Sequence, residues 1–185
     1  MALSVENQRP ARTAPAIVVM GVSGVGKTTV AKALAERLGL PYGEADDFHP
    51  AANIAKMAAG HPLDDKDREP WLKAIGGWLA ERVETGTGGV ITCSALKRGY
   101  RDLLREACPE AFFLHLTGST ALVEERLAHR SGHFMKARML DSQLAILEPL
   151  AADENGAVLD IGPSPETLVE SAAALVLRPV NGDLA

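Results

Sequence analysis

The sequence predicts an α/β fold in which a parallel sheet carries helices on both faces. Three observations support this. Apolar runs alternate with amphipathic stretches along the whole chain, the pattern of successive β-α-β units. Aromatic residues make up only 4% of a chain that is 46% hydrophobic, so the core must be Val, Ile, Leu and Ala, which suits strands covered on two sides. Gly21-Val22-Ser23-Gly24-Val25-Gly26-Lys27-Thr28 reads G-x-x-x-x-G-K-[ST] between a β-rich run and a helical pattern, where a phosphate-binding loop joins a strand to a helix.

The first fifteen residues are polar, carry Glu6, Arg9 and Arg12, and lack the apolar stretch of a signal peptide. Residues 1–15 are therefore read as a tail, residues 16–178 as one domain and residues 179–185 as a second tail. The first strand is placed at 16–21. The helix after the loop shows an apolar stripe at Val30, Leu34 and Leu38 before Gly39 stops it. A strand follows at 41–45, then a short helix at 51–59 closed by Gly60. The longest helical pattern, 67–84, sets Trp71, Ile75, Trp78 and Leu79 on one face. Asp67 is placed to cap it, with Pro70 in its first turn and Gly76-Gly77 weakening its middle. Strands at 89–94, 111–117 and 156–161 alternate with helices at 97–107, 119–130 and around 139–147. Ser164-Pro165-Glu166 opens the last helix, which turns Leu168, Ala172 and Leu175 inward.

A net charge of −5 argues against a general nucleic-acid binder. The charge is unevenly spread: between Lys97 and Arg138 eight Lys/Arg face five Asp/Glu, so that stretch is a candidate for handling an anion. Cys93 and Cys108 show no metal-site or disulfide spacing, which suggests a reduced, cytoplasmic protein. No run reaches the length of a membrane span.

In the 21–28 loop the glycines let consecutive N–H groups turn toward phosphate oxygens, and the helix behind adds its positive dipole end. Lys27 would reach the outer phosphates and Thr28 would hold Mg²⁺. The second strand ends in Glu44-Ala45-Asp46-Asp47-Phe48-His49-Pro50, and ligands of open α/β sheets sit beyond the carboxyl ends of the strands. Asp46 could there orient or deprotonate an attacking hydroxyl. Asp46 and Asp47 could instead simply cap the next helix. The third strand, Val90-Ile91-Thr92-Cys93-Ser94, lacks the terminal aspartate of many motor ATPases and GTPases. No Asn-Lys-x-Asp guanine reader occurs, and Asp153–Gly156 lies too late to be a GTPase switch. A small-molecule kinase fits better than a nucleotide-dependent switch or binding module.

Lys97, Arg98 and Arg101 stand at the head of a helix, the wrong end for cations unless an anion binds there. A solvated charged face is the plainer alternative. Arg126 and Arg130, four apart, have no acid at helical spacing and look prepared for phosphates. Ser131-Gly132-His133-Phe134 follows, and the region 126–140 is read as a lid.

Together these stretches resemble the gluconate kinases, a branch of the adenylate-kinase-like phosphate-loop kinases. The resemblance rests on the 21–28 loop, Asp46–Pro50, Asn53-Ile54-Ala55-Lys56-Met57, Pro62 to Leu72, Cys93 to Arg101, His133-Phe134, Ser142-Gln143-Leu144 and Glu148-Pro149. It implies a three-layer α/β/α fold with a five-stranded parallel sheet, a mobile lid and often a homodimer. It also implies ATP-dependent phosphorylation of D-gluconate to 6-phosphogluconate, feeding carbohydrate catabolism. The same fold also houses shikimate and nucleoside monophosphate kinases, the nearest alternatives. By the resemblance, Lys27, Asp46 and Arg130 are catalytic. ATP lies on Gly21 to Thr28 with Thr29, Arg126, Arg130 and Pro163, and Asp46, His49, Arg68, Lys97, Arg98, Arg101 and His133 hold the sugar acid. Ala45 departs from the family, which usually has glycine before the aspartate, and leaves the local backbone in question.

Overall fold

The structure, a computed structural model, describes residues 14–129 and 133–178, with the backbone alone for 133–138. Five parallel strands form one sheet: β1 (Ala16–Met20), β2 (Tyr42–Glu44), β3 (Gly89–Thr92), β4 (Phe112–Thr117) and β5 (Gly156–Asp160), ordered β2-β3-β1-β4-β5. The helices are α1 (Lys27–Leu38), α2 (Ala51–Ala58), α3 (Asp65–Glu84), α4 (Arg98–Ala107), α5 (Thr120–Ala128), α6 (His133–Ile146) and α7 (Pro165–Val176). All five residues of β1 are buried, because the strand is central and both its faces are covered. Ile17 and Val19 pack with Leu34 of α1 and Leu168 of α7, whereas Val18 and Met20 pack with Leu72 and Ile75 of α3 and Leu104 of α4. This is the continuous apolar reading expected of a doubly covered parallel strand.

Two local readings change. Helix α3 begins at Asp65 and Asp64 caps it: the Asp67 N–H donates to Asp64 Oδ1 at 2.9 Å, and the Asp64 N–H donates to Asp67 Oδ2 at 2.8 Å. Asp67 is thus the third residue of a capping box, and Pro70 lies inside the helix, beyond its first turn. Asp64→Ala should destabilise the fold by about 1 kcal/mol, visible as a thermal midpoint lower by about 2–4 °C; an unchanged midpoint would return the start of the helix to Asp67. Gly76 has a packing role that its sequence position did not show. A Cβ there would stand 2.8 Å from the Ala107 Cβ, so its hydrogen allows α3 and α4 to approach closely.

The sheet order fixes where a ligand can sit. β2, β3 and β1 lie side by side, so their carboxyl ends bring the 21–28 loop, the Glu44–Asp46 corner and the Thr92–Ser94 segment to one edge. Among the described residues no helix is long and apolar enough to cross a membrane.

Candidate active site

A cavity of about 300 Å³ opens at this edge. It is lined by Ser23, Lys27 and Thr28 after β1, by Glu44 and Asp46 after β2, and by Cys93 and Ser94 after β3, with Trp71 of α3 and Gln143 of α6 closing its sides. Gly26 is the N-cap of α1 with φ +93° and has no side chain to occupy the first N–H groups of the helix. Those donors, with the helix dipole behind them, are open to an anion. Lys27 Nζ donates to the Val22 carbonyl at 3.0 Å, folding the lysine over its own loop.

Asp46 lies in a short 3-10 turn, Ala45–Phe48. It does not cap α2, whose N-cap is Pro50 with no side-chain bond. Asp46 lines the cavity, and its carboxylate makes no hydrogen bond or ion pair among the described residues. Ala45 takes an ordinary negative φ, since Ala95 alone among the described non-glycine residues has a positive one. The missing glycine therefore costs the corner nothing. The Trp71 indole N–H donates to the Ala45 carbonyl at 2.6 Å and fixes it.

His49 stacks on Trp71, centroids 4.4 Å apart. Asn53 Nδ2 donates to the Asp67 carbonyl at 2.8 Å and lies 3.3 Å from His49 Nδ1. With its nitrogen identified by that carbonyl, Asn53 donates to Nδ1 and leaves the proton on Nε2. Burial, aided by Arg68 and opposed by Asp46, holds the imidazole below its usual pKa, so the ring is neutral at pH 7.

Glu44 is the residue that motif reading passed over. Thr92 donates to its Oε1 at 2.5 Å, Thr28 to its Oε2 at 3.3 Å, and the Tyr42 hydroxyl to the same Oε2. Burial pushes its carboxyl up, but the hydrogen bonds from Thr92, Tyr42 and Thr28 outweigh that and hold it below the usual range. Glu44 is therefore a charged acceptor beside the loop threonine. Burial first, and then Glu44, push the Tyr42 phenol up to about 12, so it remains a donor. Burial likewise pushes the Cys93 thiol up to about 12, which leaves it inert as a nucleophile.

Lys97, Arg98 and Arg101 stand at the head of α4 as expected, but each is engaged by an acid of the fold. Arg101 is fully buried and forked onto Glu154, with Nε–Oε2 2.6 Å and Nη2–Oε1 2.9 Å, while Nη1 donates to the Ala95 carbonyl. It cannot meet a ligand, and its position at a helix head is explained by a buried acid. Arg98 bonds Asp102 and, through both terminal nitrogens, Asp153. Lys97 reaches Asp65 at 3.1 Å, and Arg68 lies 3.3 Å from the Tyr100 hydroxyl, which itself donates to Asp65. None of the four lines the cavity. Arg126 donates to the carbonyls of Val25 (3.3 Å) and Ile161 (2.8 Å), tying α5 to the phosphate loop and to the segment leading to exposed Pro163. Thr29 is exposed on α1. Arg130 and the side chain of His133 lie outside the described residues.

A family model described as "AAA domain" matches residues 17–155. The chain is 54% identical to the gluconokinase of Gluconobacter oxydans (strain 621H), covering 75% of this chain and 78% of that protein. The chain belongs to the gluconokinase family. It is likewise 43% identical to the thermoresistant gluconokinase of Escherichia coli (strain K12), covering 87% of this chain and 93% of the relative. The crystal structure of a gluconokinase from Sinorhizobium meliloti 1021 superposes with a TM-score of 0.77 at 44% identity, covering 89% of this chain and 93% of that one. In this gluconokinase-family chain the phosphate loop and Asp46 line one cavity.

Proposed function

We propose that this protein transfers the γ-phosphoryl group of ATP to the terminal hydroxyl of D-gluconate, giving 6-phospho-D-gluconate and ADP. The observation that carries the reading is Asp46, an unpaired carboxylate among the described residues, facing the Lys27–Thr28 corner across the cavity in a chain of this family. The loop N–H groups hold the nucleotide phosphates, and Lys27 lies against their outer oxygens. Asp46 accepts a hydrogen bond from the acceptor hydroxyl and orients its oxygen in line with the γ-phosphorus. The new P–O bond forms at that oxygen as the bond to the β,γ-bridging oxygen breaks, ADP leaves with the electron pair, and the hydroxyl proton passes through Asp46 to water. Such a transfer needs position and electrostatics more than a strong base.

The donor set suits Mg²⁺. The Thr28 hydroxyl and the Glu44 and Asp46 carboxylates offer hard oxygen ligands, and a few such ligands beside nucleotide phosphates are what Mg²⁺ uses. Thr28 would hold it with Glu44 behind, and when bound it neutralises charge on the β- and γ-phosphates. On the acceptor side, His49, Arg68 and Lys97 are the proposed readers of the sugar acid; Lys97 would have to exchange Asp65 for it, and neither Lys97 nor Arg68 lines the cavity in this structure. Arg126 and Arg130 complete the nucleotide side.

Acceptor-stimulated ADP release, measured with gluconate, other sugar acids, shikimate and AMP, tests the reading. Gluconate should give the highest kcat/KM; silence with gluconate and turnover with shikimate or AMP would overturn it.

A further inference from the structure

Helix α6 sends one side chain into the phosphate loop. The Ser23 backbone N–H donates to Gln143 Oε1 at 2.6 Å. Because the donor is an N–H, the oxygen of the amide must face it, and its nitrogen is the other end. That nitrogen has no partner among the described residues, and Gln143 lines the cavity with Lys27, Thr28 and Asp46. The end of α6 is fastened on its other side as well. The Glu148 N–H donates to the Leu96 carbonyl at 2.8 Å, and the Glu148 carboxylate accepts the Arg98 N–H at the head of α4. Gln143 is thus braced between the loop after β1 and the loop after β3, the rigid support that a group needs to act at a fixed point.

Lys27 is the cation among the described lining residues, while Glu44 and Asp46 bring two negative charges. A neutral donor beside the first loop residues adds stabilisation for phosphate oxygens without altering that balance. The plain alternative is a half-exposed helix glutamine that satisfies a backbone N–H. We propose that Gln143 is a catalytic donor: its carbonyl is anchored on Ser23, and its amide N–H₂ hydrogen-bonds the phosphoryl group being transferred. This rests on the phosphoryl-transfer reading above and assigns a residue to it.

The test compares wild type with Gln143→Ala and Gln143→Glu. In Q143A, gluconate-stimulated kcat should fall about 10–100-fold, the Kd for ADP should stay within about twofold, and the Kd for a non-hydrolysable ATP analogue should weaken about tenfold. Gln143→Glu keeps the size of the side chain but donates only when protonated. Its rate relative to wild type should rise as pH falls from about 8 to about 6, a profile Q143A should not show. Q143A turnover within twofold of wild type overturns the proposal. So does equal weakening of ADP and the analogue, which would make Gln143 a prop for the loop, or an identical pH profile for both variants. The nucleotide measurements need no acceptor. A wild-type enzyme silent toward gluconate would therefore reject the acceptor assignment while the loss or retention of γ-phosphate discrimination in Q143A still decides Gln143.

Discussion

Lys27→Ala is expected to lower kcat by about 10³-fold or more while leaving the fold intact. Among the described residues lining the cavity, Lys27 supplies the positive charge and Glu44 and Asp46 the negative. Without Lys27 the described lining residues carry two carboxylates and no cation, so a nucleotide triphosphate meets a more repulsive field. Charge that develops on the phosphoryl oxygens also loses its nearest compensation. A loss of 10³ corresponds to about 4 kcal/mol of transition-state stabilisation, within reach of one ammonium group in a site partly shielded from water. The fold should survive, because Lys27 is a half-buried residue lining the cavity and is not part of either apolar core cluster. Single-turnover kinetics with saturating ATP and gluconate, beside a thermal melt, measures both quantities. Near-normal turnover would remove Lys27 from the chemistry and with it the scheme of donor and acceptor sides.

What could be read before the structure follows from how local each signal is. The 21–28 loop is contiguous, and its flanking strand and helix are fixed by hydrophobic period and by Gly26, so its place was legible. β1, β3 and β4 were legible as apolar runs because the inner strands are buried on both faces, whereas the edge strands β2 and β5 are only partly buried. The cap of α3 was missed by three residues because Asp64, Asp65 and Asp67 are all acceptable caps, and only the reciprocal bonds of Asp64 and Asp67 choose between them. Arg101 was misassigned because its partner, Glu154, is 53 residues away. Arg98 could have been read correctly, as Asp102 stands four residues on. Glu44 carries no motif signal, because its meaning depends on Thr92, 48 residues away on the adjacent strand. Gln143 lies 120 residues from Ser23, and its only early signal was membership of the Ser142-Gln143-Leu144 stretch.

Arg101→Ala should be a stability defect rather than a binding defect. The Arg101 and Glu154 side chains are both fully buried, and the guanidinium also serves the carbonyls of Ala95, Leu96 and Pro149 at 3.0–3.3 Å. Ala95 and Leu96 belong to the loop between β3 and α4, where Ala95 is held at φ +44°, a conformation that alanine adopts at a cost, and Pro149 lies between α6 and β5. Removing one partner of a buried pair leaves an uncompensated charge and costs about 3–5 kcal/mol, a large share of the roughly 5–15 kcal/mol that holds a domain together. For a chain of this size the thermal midpoint should fall by roughly 10 °C. The double variant Arg101→Met, Glu154→Leu should recover part of that loss, because it removes the stranded carboxylate. The effect should also depend on pH. Burial pushes the Glu154 carboxyl up, but the hydrogen bonds from Arg101 and the Ala151 N–H, with the Arg101 and Arg98 charges, outweigh it and leave it below the usual range. A depressed carboxylate contributes stability that is present above its unfolded pKa, about 4.3, and is lost as pH falls through the folded value. The gap between wild type and Arg101→Ala should therefore be full at pH 7 and narrow below about pH 4. An Arg101→Ala protein that melts with wild type at pH 7 but shows a raised KM for gluconate would place Arg101 at the substrate instead, and would mean that the buried fork on Glu154 opens in the working enzyme.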